Sequence, residues 1–367
     1  FLNKPLLVYK NMPANAQNLP NKKDISSDKG IDLKIYQCSG CGLVQLNNDP
    51  VSYYKKVIRA SSFSEEMNKF RIEQFRKIIK SYSLENKKII EIGCGNGEYL
   101  GLMNKNNIKA FGLEYSSKSV DNCIKNGLKV YQGYIDNIDY KIKNAPYDAF
   151  IILSYLEHLP NINSVLGGIY NNLSDEGIGI VEVPNFDMIL KNNLFFEFIR
   201  DHLFYFTKDT LTTTLKLNGF EIIECNVIWH EYIISAIVRK RKRLSIENFN
   251  DRQNKLQVEF KKFLNKYKNK KIAIWGAGHE ALTIISMMNL SIKNIKYVID
   301  SAIFKQGKYT SSTHIPIVSP KKLKTNPVDI VIVMTASYSN EVVKILRQKY
   351  GKNINIVVLR NFKLEIL

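Results

Sequence analysis

The stretch KKIIEIGCGNGEYL, residues 87–100, limits the fold more than any other part of this 367-residue chain. An apolar, β-type run breaks into glycines at 93, 95 and 97 and then gives way to helix-forming residues. Glycine accepts left-handed backbone and lets a ligand approach closely, and the helix that follows turns its free N–H groups toward the loop. Further apolar runs follow: "IKAFGLEYS", "LKVYQGYI", "YDAFIILSYLEHL" and "GIGIVEVPN", separated by helical or polar stretches. That alternation predicts βα units building a parallel sheet. "GFEIIECNVIW" and "EYIISAIVRK" lie back to back, with Trp229, His230 and Glu231 at the joint, and predict a closing antiparallel hairpin.

The pattern then restarts in "KKIAIWGAGHEALTIISMMN", "IKYVID" and "VDIVIVMTA". The expected fold class is therefore α/β: a central Rossmann-like sheet ending in an antiparallel hairpin, a small N-terminal module and a second Rossmann-like domain. The boundaries read from the sequence are 1–60, 61–238, 239–270 and 271–367. A helix is expected from Ser64, with Met67, Phe70, Phe75, Ile78, Ile79 and Tyr82 on one face.

Charge matters most in the third of these segments. The chain carries a net +19, and residues 239–271 hold thirteen Lys/Arg against three Asp/Glu. Leu256, Phe260, Phe263, Leu264 and Tyr267 recur there at helical spacing, so the segment reads as a basic linker helix with a solvated face. The charge suggests nucleic acid as a rival substrate, but no recognition-module motif accompanies it. Five cysteines without a regular framework point to a reducing, cytoplasmic setting. No apolar run reaches the length of a membrane span, and no secretory signal is expected.

The spacing G-x-G-x-G differs from the G-x-G-x-x-G of dinucleotide loops. Preceded by Glu91 and followed by Glu114 at the end of the next strand, it resembles motif I of class I S-adenosylmethionine-dependent methyltransferases. That resemblance implies that Gly93, Gly95 and Gly97 face S-adenosyl-L-methionine and that Glu114 accepts both ribose hydroxyls. It also implies that Tyr134 and Ile135 flank the adenine, and that Ser154 and Tyr155 lie near the reacting methyl. A sulfonium methyl is already electrophilic, so the protein must align an acceptor and, where needed, take its proton.

Nearly the whole chain resembles the sugar C-methyltransferase family, on "CSGCGLVQL", "SSFSEEM", "EIGCGNGEYL", "SYLEHLPN", "EVPN", "DHLFYFT" and "YVIDSAIFKQGKY...HIPIVSP". The resemblance implies a nucleotide-linked small-molecule sugar as substrate and a zinc-knuckle-like N-terminal module. Cys38 and Cys41 match one of the family's two zinc-binding cysteine pairs, and the other pair is not in the sequence. His158 and His202 match acid/base histidines, with Asp201 beside His202 as its orienter. Ile199, Arg200 and Ile58 stand where the family has tyrosine, histidine and tyrosine, which leaves the methylated atom open among O, N and C.

In the second loop, Gly276, Gly278 and Ala281, with Asp300 ending the next strand, form a bare dinucleotide fingerprint. A nicotinamide-dependent enzyme is thus the other reading, and a non-catalytic scaffold a third. The family resemblance implies instead that Gly276, Gly278 and Asp300 help hold the nucleotide-sugar, with Lys305 and Lys308 offered to its diphosphate. Ser311, Ser312 and Thr313 replace the family's P-G-T.

Overall fold

A computed structural model describes residues 4–56, 64–350 and 353–367, and the chain divides into two compact units, Phe1–Arg243 and Leu244–Leu367. In chain order the first unit contains β1 (Leu7–Met12), β2 (Ile31–Gln37), β3 (Val44–Leu46), β4 (Lys88–Ile92), β5 (Lys109–Glu114) and β6 (Val130–Gln132). It continues with β7 (Tyr147–Leu153), β8 (Leu173–Pro184), β9 (Phe204–Tyr205), β10 (Phe220–Ile228) and β11 (Ile233–Lys240). Seven strands form one sheet in the order β10-β11-β8-β7-β4-β5-β6. β11 runs antiparallel to both neighbours, and the other adjacent pairs are parallel.

The central strands are mostly apolar because both faces are covered, with Glu91 on β4 and Glu182 on β8 as buried acids among them. On β7, Phe150 and Ile152 enter one core cluster while Ala149, Ile151 and Leu153 enter the other. The expected hairpin is present, and Trp229, His230 and Glu231 turn it with φ of 47°, 52° and 62°. The helix Glu65–Ser81 starts where Ser64 caps the Met67 amide, and it buries Met67, Phe75, Ile78 and Ile79. Arg71 is buried on the same face, which the pattern of apolar residues did not foretell. Its guanidinium meets the buried carboxylate of Glu182, which also accepts from Gln74 and Ser235. A buried charge of this kind needs a partner and further hydrogen bonds, and this one has both.

The N-terminal strands do not form a sheet of their own. Their order is β1-β2-β3-β9, with Val44 opposite Tyr205 and Gln45 opposite Phe204. The last strand is supplied by the "DHLFYFT" stretch, so residues near the N-terminus are tied to the neighbourhood of His202. Ile58 lies outside the described residues.

The second unit contains β12 (Ile272–Trp275), β13 (Tyr297–Ile299), β14 (Ile317–Val318), β15 (Ile330–Val333), β16 (Asn355–Arg360) and β17 (Lys363–Ile366), ordered β14-β13-β12-β15-β16-β17. All its pairs are parallel except β16 with β17. The helix Glu247–Lys266 is not a free linker. It buries Leu256, Phe260 and Phe263 in this unit's core, and Lys261 and Lys262 stay exposed. Among the described residues no helix is long and apolar enough to cross a membrane.

Candidate active site

The first glycine loop is left-handed at each of its three glycines, with φ of 70° at Gly93, 57° at Gly95 and 82° at Gly97. A Cβ at Gly97 would lie 2.4 Å from Leu128 Cδ1 and 2.9 Å from Cys123 Sγ, so conformation and space both demand glycine. Glu91 is fully buried on β4 just before the loop. Glu114, 1% exposed at the end of β5, accepts the Gly95 amide at 3.0 Å and the Ser116 amide at 2.8 Å. Each carboxylate oxygen has a second lone pair, so the same group can also receive hydroxyl donors. A cleft opens beside Gly93, walled by Tyr115, Tyr134, Ile135 and Tyr155. A glycine backbone, an acid at one edge and an aromatic wall are the kinds of group that an adenosine site uses.

Ser154, at φ 48°, ends β7 and turns the chain into a short 3₁₀ turn, Leu156–His158. The turn borders a second cleft, whose lining includes Tyr53, Ser154, Tyr155, His158 and Asp201. Tyr155 belongs to both clefts. His158 Nδ1 lies 2.7 Å from the Asp201 carbonyl oxygen. A carbonyl only accepts, so Nδ1 carries the proton and Nε2 keeps its lone pair. The His158 and His202 rings meet edge to face at 4.7 Å. Burial lowers the pKa of His158 despite the opposing effect of Asp201. Burial, followed by the neighbouring His158, lowers that of His202 further. Both imidazoles are neutral in the physiological range and able to accept a proton.

Two features of this cluster differ from the expectation. The Asp201 carboxylate does not orient His202; it accepts Tyr53 Oη at 2.7 Å and the Ala16 amide at 3.0 Å. It fastens the N-terminal segment, while its backbone carbonyl positions His158. Glu157 is the residue that the sequence reading passed over. It is 1% exposed, and burial pushes its carboxyl up to about 8. An acid inside the apolar run "SYLEHL" was the available signal. Tyr53 offered none, because its partner lies 148 positions away. Lys55 adds a further contact, its ammonium 4.7 Å from the Tyr134 ring centre and 5.1 Å from that of Tyr115, so the N-terminal segment overhangs the first cleft.

In the second unit Gly276 has φ 121°, and a Cβ there would lie 2.3 Å from the Met334 carbonyl oxygen. Asp300 accepts the Ala277 amide at 2.9 Å and the Ala302 amide at 2.8 Å. Lys305 Nζ donates to Asp300 at 3.1 Å and to the Ala277 carbonyl at 3.0 Å, so much of its hydrogen-bonding capacity is taken up inside the loop. Gly278 caps the helix His279–Met287, and Lys308 is exposed. Cys38 and Cys41 lie half-buried in a turn where the Gly42 amide donates to the Cys38 carbonyl. Amides of Cys41 and Gly40 lower the pKa of the Cys38 thiol. Among the described residues these two sulfurs gather no third metal-ligating side chain, so they do not make up the four ligands of a closed zinc site.

Residues 67–225 match the family model of a methyltransferase domain, and residues 239–359 match that of the C-methyltransferase C-terminal domain. The chain is an S-adenosylmethionine-dependent methyltransferase. Over 92% of its length the methyltransferase is 20% identical to the C-methyltransferase NovU of Streptomyces niveus, spanning 88% of that protein. It is 25% identical over 126 residues to the ubiquinone biosynthesis O-methyltransferase of Rickettsia prowazekii (strain Madrid E), covering 32% of the methyltransferase and 49% of the relative. A solved S-adenosylmethionine-dependent methyltransferase from Clostridium acetobutylicum ATCC 824 aligns at 16% identity and a TM-score of 0.39, over 51% of this chain and 96% of the other.

Proposed function

We propose that the methyltransferase moves the methyl group of S-adenosylmethionine to a nucleotide-activated sugar or sugar acid, in surface-glycan or secondary-metabolite synthesis. The observation that carries this reading is the sharing of Tyr155 by two adjoining clefts, one at the glycine loop and the other at His158. A donor held along the first cleft brings its sulfonium to the boundary. The acceptor waits on the far side of Tyr155. Glu91, Gly93, Gly95, Gly97 and Glu114 hold the donor's methionine and ribose. Tyr134 and Ile135 cover its adenine, and Ser154 and Tyr155 border the methyl.

His158 Nε2 takes the acceptor's proton as the new bond to carbon, oxygen or nitrogen forms and the methyl–sulfur pair returns to sulfur. His202 packs against His158 and shares that work, and Asp201 positions His158 through its carbonyl. The name of NovU and the C-methyltransferase description of the C-terminal match support carbon as the receiving atom. In the second unit, Gly276, Gly278 and Asp300 with Lys305 and Lys308 make a separate glycine loop whose cations suit a nucleotide's diphosphate. Five free thiols suit a cytoplasmic setting.

The test is a screen of nucleotide-sugars and sugar acids with labelled S-adenosylmethionine, read by product mass and NMR. On the true acceptor, His158→Ala should lower kcat by about 100-fold or more, the usual worth of a positioned base. Full turnover in both His158→Ala and His202→Ala would remove the proton-handling assignment while leaving donor binding intact.

A further inference from the structure

Glu157, His158 and His202 present ligand atoms that all lie within 4.8 Å of one another, the only such group among the described residues. We propose that these three side chains bind a divalent first-row transition-metal cation beside the acceptor cleft. The inference rests on the methyl-transfer reading for its purpose, but the binding site stands on geometry alone.

Two independent observations point to a ligand. Among the described residues Glu157 Oε2 is buried without a hydrogen-bond partner, and Glu157 Oε1 lies 4.0 Å from His158 Nε2. An acid enclosed in this way is costly unless something neutralises or coordinates it. Second, the Asp201 carbonyl holds the Nδ1 proton of His158 at 2.7 Å, which leaves Nε2 as the available lone pair on the Glu157 side. Outer hydrogen bonds of this type are how metal-binding imidazoles are oriented. Two histidines and one carboxylate suit transition metals and leave coordination positions for water or substrate. With bonds of about 2.1 Å, tetrahedral ligand atoms sit about 3.4 Å apart, so small side-chain rotations close the set.

His158 also lines the second cleft, so an ion on Nε2 is within reach of an acceptor oxygen. Negative charge develops there when a hydroxyl or an enol gives up its proton, and a cation stabilises it. In the loaded enzyme the imidazoles act as ligands in place of His158 as base, and the acceptor's proton passes to a hydroxide held on one of the ion's open positions, leaving water there.

The probe is Co²⁺ titrated into the full chain carrying Cys38→Ser and Cys41→Ser, so that the two half-buried thiols cannot claim it; the other three are buried. One equivalent should bind with visible ligand-field bands. Glu157→Gln and His202→Ala in that background should weaken binding by at least about 100-fold, with affinity for S-adenosylhomocysteine unchanged. Should the serine pair fail to fold, Mn²⁺ binding by the wild type, read by electron paramagnetic resonance and lost in Glu157→Gln, replaces it, since Mn²⁺ prefers oxygen and nitrogen donors. Absence of ion binding in protein that still takes up S-adenosylhomocysteine would overturn the cation site alone. Persistence of the bands in both variants would do the same. Failure to bind S-adenosylhomocysteine would instead strike the methyl-transfer reading.

Discussion

The two glycine loops of this chain are built on one plan. In each, a β-strand breaks into glycine, a helix follows, and an acid at the end of the next strand accepts an amide of the loop. Glu114 accepts Gly95 and Ser116, and Asp300 accepts Ala277 and Ala302. What surrounds the acid is different. Beside the first loop stands a cleft with tyrosine walls. In the second, Lys305 bridges the acid and the loop carbonyl, tightening the turn on itself. An acid tied to a glycine turn is a way of shaping the turn, and the walls around it decide what a ligand finds there.

Exchanging a glycine should separate the loops most sharply. Gly97→Val combines a left-handed β-branched residue with a collision at Leu128, together a few kcal/mol. Calorimetry should show affinity for S-adenosylhomocysteine falling by about 100-fold or more. Gly276→Val meets equally severe crowding at Met334 and should destabilise the second unit, yet leave that affinity within about twofold. Equal loss of affinity in both variants would break the contrast.

The acids come next in size. Glu114→Gln keeps the shape but loses charge-assisted hydrogen bonds, worth about 1.5–3 kcal/mol, so cofactor affinity should drop by roughly 10- to 100-fold. Asp300→Asn should leave it unaltered and appear instead in stability. Burial disfavours the Asp300 charge, but the amides of Ala302 and Ala277 and the Lys305 ammonium outweigh it and hold the carboxyl below its usual 3.8. The sign follows from that depression. Stability from the ionised group is present above the unfolded value and is lost as pH falls through the lower folded value. Scanning calorimetry of the full chain should show the second unit's melting temperature declining below about pH 4, and declining less in Asp300→Asn. The smallest effect belongs to Lys305→Met, whose half-exposed ion pair should shift that temperature by no more than a few degrees.

Much of the architecture is legible in the sequence. The apolar runs at 149–153 and 272–275 require cover on both faces, so two sheets flanked by helices follow directly. Spacing and glycine chemistry likewise exposed both loops and the hairpin at Trp229. The candidate acceptor site was only half legible. His158 and His202 stood out by rarity, whereas the true partners of Asp201, Tyr53 and the Ala16 amide, lie 148 and 185 positions away. No periodicity records a contact at that range. Arg71 hides for the same reason, its charge answered by Glu182 across the fold, 111 positions along the chain. The linker helix misled because a basic face was visible in the pattern while the core receiving its apolar face was not.

The bond from Tyr53 to Asp201 has a bearing on how such enzymes diversify. One wall of the second cleft is written in the opening fifty-odd residues, the others in the catalytic domain. Recombination that grafts a foreign front end onto this core would carry a new lip for the incoming molecule and, through Lys55, a new awning over the donor. On the proposed assignment of the two clefts, choice of acceptor would drift by exchange of a short leading segment while the methyl-donating machinery is inherited whole.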